Sequence, residues 1–94
     1  MANMNEALQF FGMTIQKKRE QKGWTQSDLA HHSKVDEDTI AAIERGEIDP
    51  DIIMIVQISK GLGLEKFADI FAEFNKEVYP FLDIKEEMDA GDKK

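Results

Sequence analysis

Apolar residues recur along this chain three or four positions apart, the interval of a helix, and no segment alternates as a strand would. From Glu6 onward, Leu8, Phe11, Gly12, Ile15 and Arg19 share one face, predicting a first helix over 6–22 that ends at Gly23. Leu29 and Ala30 face inward from a short second helix over 26–32. Val35 fills the corner that follows, and Ile40 and Ile43 form the buried ridge of a third helix over 37–45. A fourth helix starts after Asp51. Its Ile52, Ile55, Val56, Ile58 and Leu62 are dense enough to predict a mostly buried element, ended by Gly63. A fifth, over 65–78, carries Phe67, Ile70, Phe71, Phe74 and Val78 on one stripe and must stop before Pro80, which has no N–H to donate. Residues 1–5 read as a loose start. Residues 83–94, charged and poor in bulky apolar groups, read as a flexible acidic tail.

The helix ends carry their own signals. Thr25 can accept from the first-turn N–H groups of the second helix while Asp28 reaches back, a capping box with Asp in the usual Glu position. Asp36 is placed to cap the third helix and Asp51, after Pro50, the fourth. Gly46 supplies the left-handed residue that stops the third helix. The expected fold class is therefore all-α, a five-helix domain with an extended C-terminal helix.

Composition narrows the function. Ninety-four residues suit one domain with a single modest core. No cysteine is present, which excludes disulfides and thiolate metal sites. His31 and His32 are adjacent and project about 100° apart, so they cannot chelate one ion together. No metal and no cofactor is expected. No serine, histidine and carboxylate set shares a cleft, so the chain does not read as an enzyme. No apolar run approaches the ~20 residues of a membrane span, and the first residues lack a signal-peptide pattern, so a cytoplasmic protein is expected. Net charge is −7: residues 1–24 carry +2, residues 25–50 carry −5 and residues 51–94 carry −4. The middle stretch, with its two short helices, is the most acidic.

The spacing of Gln26, Leu29, Ala30, Val35, Ile40, Ile43, Glu44 and Gly46, with Gly12 and Gly23 upstream, resembles the helix-turn-helix of the Xre/lambda-repressor-like (Cro/CI-type) family of DNA-binding proteins. The likeness runs on through Pro50 to Leu62 and Gly63, roughly two-thirds of the chain. It implies a lambda-repressor-like domain over 12–71, with the motif at 26–45. Residues 1–11 would extend the first helix, and 72–82 would extend the last as a dimer contact. By the same resemblance, Glu37, Asp38, Ala41 and Ala42 face base edges, and Thr25, Gln26, Ser27 and Arg45 face the DNA backbone. Arg19 and Glu44 would form a partly buried ion pair, and Lys34 stands where the family places a turn glycine.

The chemistry of those positions is mixed. A carboxylate can accept from cytosine N4 and an alanine methyl can pack on thymine's methyl, but Arg-to-guanine contacts are missing. Glu37 and Asp38 read equally well as complements to the helix dipole. Trp24 reads as a core-edge aromatic, and Lys17, Lys18 and Lys22 as a solvated face. Phe71, Phe74, Val78, Phe81 and Leu82 exceed what so small a core should need, which points to a symmetric dimer. The function expected is a dimeric, sequence-specific transcriptional regulator on a palindromic operator in double-stranded DNA, with half-sites ~34 Å apart. The alternative is a protein-interaction module: an acidic antitoxin neutralising a basic toxin, or a regulator that binds another protein. A neighbouring gene for a small basic protein would favour the antitoxin.

Overall fold

The computed structural model describes residues 3–82. The elements, in order, are α1 (Met4–Gln21), α2 (Gln26–Ser33), α3 (Glu37–Glu44), α4 (Ile52–Gly61), a 3-10 segment (Phe67–Phe71), α5 (Ala72–Glu77) and a 3-10 turn (Tyr79–Phe81). The flexible tail expected at 83–94 lies outside the described residues.

The first helix starts earlier than its apolar pattern suggested. Asn3 caps it: the Asn3 carboxamide accepts from Glu6 N–H at 2.8 Å, and Glu6 accepts from the Asn3 N–H at 3.0 Å. The loose start read over 1–5 is corrected at residues 3–5, because two reciprocal bonds satisfy N–H groups that the first turn leaves open; residues 1–2 lie outside the described residues. Thr25 and Asp28 form the same device on α2, at 3.0 and 2.9 Å. Asp51 caps α4 by accepting from Met54 N–H at 2.8 Å. Asp36 occupies the cap position of α3 but makes no side-chain cap bond, so that expectation fails. Lys34 ends α2 in the left-handed region, φ 60° and ψ 31°, a strain of about 1–2 kcal/mol for a residue with a Cβ.

Helix α1 packs against α3, α2 packs against both α3 and α4, and α5 lies on α1. Phe11, Ile15, Leu29, Val35, Ile40, Ile43, Ile58, Leu62 and Ile70 make one continuous core. Fully burying each such side chain stabilises by about 1.5–3 kcal/mol before conformational entropy is counted. At Gly12, α1 lies directly on the C-terminal end of α3; a methyl there would overlap the carbonyl oxygens of Ile43 and Glu44. Gly46, at φ +73°, turns the chain against the backbone of Gln9. Both glycines hold α1 close to the end of α3.

Two expectations are corrected by the packing. Helix α4 buries Ile58 and Leu62, but Ile52, Ile53 and Val56 are exposed, because the domain supplies neighbours along one side of α4. The last helix is not continuous: a 3-10 stretch precedes the short α5, and Pro80 sits within the closing 3-10 turn, near a terminus where its missing N–H does no harm. Phe71 stacks on Phe11 at 5.6 Å between ring centroids, and Phe74 meets Phe10 and Phe11 edge-on. Val78 is buried. The early turns of α1 provide aromatic partners for Phe71 and Phe74. Phe81 remains 60% exposed.

Candidate nucleic-acid interface

One carboxylate ties together the elements that carry the candidate face. Glu44, at the end of α3, accepts from Arg19 Nε at 2.7 Å and Nη2 at 3.0 Å. It also accepts from Gln26 Nε2, in the first turn of α2, at 2.9 Å. Arg19 Nη1 donates to the Trp24 carbonyl at 2.7 Å, so the loop before α2 joins the same cluster. Arg19 and Glu44 are both buried, and the fork geometry suits a guanidinium beside a carboxylate. The hydrogen bonds that Arg19 donates to Glu44 push its pKa further up than burial draws it down, with the charges of Glu44 and Glu20 adding to the rise. Its charge is fixed, and its work is to hold α1, α2 and α3 in one relation.

The outward residues take their positions from that frame. Glu37 and Asp38 are exposed in the first turn of α3, and Ala41 and Ala42 follow one turn on, half-buried. Thr25 and Ser27 are exposed at the start of α2, the Thr25 hydroxyl engaged in its cap. Gln26 is half-buried and held by Glu44, a bond the sequence did not announce. Arg45 forks onto Glu47 at 2.8 and 2.9 Å, in an exposed pair. That pair raises the Arg45 pKa and lowers the Glu47 pKa, in each case chiefly through the hydrogen bonds between them. A glutamate two residues after an arginine was the available signal. Trp24 stacks on His32 at 4.1 Å, with Lys22 5.0 Å from the indole ring, an arrangement that keeps it at the edge of the core.

A framed second and third helix, joined by a tight left-handed turn, define a helix-turn-helix. The helix-turn-helix family model matches residues 15–68, and the chain belongs to this Xre/lambda-repressor-like family of DNA-binding proteins. Among curated proteins, it is 39% identical over 57 residues to an uncharacterized HTH-type transcriptional regulator of Methanothermobacter thermautotrophicus, covering 61% of this chain and 83% of that protein. No solved structure matches it with significance. Among the described residues, no helix is long and apolar enough to cross a membrane.

Proposed function

We propose that this protein is a sequence-specific transcriptional regulator that binds double-stranded DNA as a homodimer, on an operator with two-fold symmetry. The observation that carries the reading is the division of α3: Ile40, Ile43 and Glu44 are locked inward, while Glu37 and Asp38 stand in solvent with Ala41 and Ala42 behind them. In this reading α3 lies in the major groove and α2 crosses the backbone. Glu37 and Asp38 accept from cytosine N4, and the alanine methyls meet thymine methyls. Ser27, Gln26 and Thr25 bring the α2 N-terminus to a phosphate, with Arg45 beside it. So few cations give a shallow salt dependence, about two or three phosphates neutralised per subunit.

The deciding experiment is selection of bound oligonucleotides from a random pool at low and physiological salt. A two-fold-symmetric site among the enriched sequences supports the reading; no enrichment at either salt sinks it. Replacing Ala41 with Glu should abolish binding to the selected site in a mobility-shift assay while the circular dichroism spectrum is unchanged.

The exposed acidic groups at Asp36, Glu37, Asp38 and Glu47 favour one second reading. In it, the same face engages a basic protein, as an antitoxin engages its toxin. Failure of the selection, together with a stable complex with the product of an adjacent gene for a small basic protein, would establish it.

A further inference from the structure

Helix α4 has an apolar face that the described chain does not cover. Ile52 and Ile53 are 58% and 62% exposed and Val56 is 38% exposed. Ile52, Val56 and Lys60 lie four apart, on one line along the helix. Phe67, 42% exposed, borders that line across a shallow groove with Val56 and Lys60 in its wall. Single exposed aliphatic residues are ordinary, whereas a contiguous row of them marks a contact surface.

The charges on α4 indicate what that contact meets. From Ile52 to Ser59 the helix carries none, in a chain where 33% of residues are charged. Charge lies only at the two ends, with exposed Asp51 at the N-cap and exposed Lys60 in the last turn. Two copies of this helix crossing antiparallel at Val56 would set each Ile52 under the other copy's Lys60 stem. Each ammonium would then lie beside the other copy's Asp51 carboxylate. The charge pattern of α4 reverses about Val56, as an isologous contact requires. Asp51 also caps the helix and Lys60 also suits its C-terminal end, and the same reversal makes this face complementary to a second copy of itself.

We propose that α4 is the homodimer contact, packed antiparallel on its copy through Ile52, Ile53 and Val56 and closed at both ends by Lys60–Asp51 pairs. The inference rests on the dimeric reading above and gives it a surface. A patch of this extent belongs with the weaker interfaces.

The test is sedimentation of the full chain across a concentration series. Val56→Glu places two carboxylates on the two-fold axis and should raise the dimer dissociation constant by about 100-fold or more. Its circular dichroism should not change, because the position is exposed. Lys60→Glu should also weaken the dimer, and adding Asp51→Asn, which keeps a good cap, should recover part of the loss. The chain has no cysteine, so Val56→Cys should oxidise to a single linked dimer, whereas Met13→Cys, exposed on α1, should not. Phe81→Glu should leave association intact. A dimer that survives Val56→Glu, or that Phe81→Glu dissolves, overturns the α4 contact and leaves the homodimer standing. A wild-type chain that stays monomeric up to about 100 µM overturns contact and homodimer together, leaving the DNA-binding reading to the selection experiment.

Discussion

Two buried polar side chains show how differently similar positions can behave. Glu44 is buried with three donors on its carboxylate, whereas the buried Ser33 hydroxyl has no hydrogen-bond partner among the described residues. Removing Glu44 strands the Arg19 guanidinium in the interior; Glu44→Ala should cost about 3–5 kcal/mol, read as a lower denaturant midpoint. Ser33→Ala should do the opposite. It discards an unsatisfied hydroxyl and improves helix propensity, a gain of up to about 1 kcal/mol and a few degrees in Tm. Neither the Arg19–Glu44 pair nor the strain at Lys34 can be obtained from periodicity, since Arg19 and Glu44 sit among apolar neighbours and Lys34 lies in a turn between helices. Both became readable through the resemblance to the helix-turn-helix family. The third member, Gln26, stayed hidden, because a glutamine in a first helical turn looks polar and nothing more.

At the scale of the element, caps were legible and burial was not. Thr25 with Asp28, and Asp51, are short-range pairs whose bonds are set by one turn of backbone, so the sequence states them almost completely. The Asp28 carboxyl is held below its ordinary pKa, chiefly by the Thr25 backbone N–H. A group with a depressed folded-state pKa stabilises above its unfolded value and loses that contribution as pH falls through the folded one. Wild type should therefore melt above Asp28→Asn near neutrality, and the gap should close below about pH 4, a comparison that thermal scans at several pH values would make. Density of apolar residues misled for α4. Its Ile58 and Leu62 face the core, and its Ile52, Ile53 and Val56 face away; a count of isoleucines does not distinguish one wet side from none. The last helix was misjudged for a similar reason, since a stripe of phenylalanines sets a face but not whether the backbone winds as 3-10 or α.

On the scale of the whole molecule, charge governs the predicted behaviour. A chain of net charge −7 approaches a duplex against its own field, so affinity must come from a few local contacts. Arg45 is one of the few cations beside the proposed groove face, and in the free protein it is already held by Glu47. Glu47→Gln should tighten binding to the selected operator and steepen its salt dependence by up to about one phosphate equivalent per subunit, measured by titration at several salt concentrations.

The forked pair at Arg45 and Glu47 also changes what the arginine can contribute. To reach a phosphate it gives up one anion for another, so what is gained is a difference between two similar attractions. A guanidinium kept on such a leash adds little grip on arbitrary duplex. Discrimination then falls to the edges of the bases, and a regulator built this way would release the wrong site quickly rather than hold the right one hard.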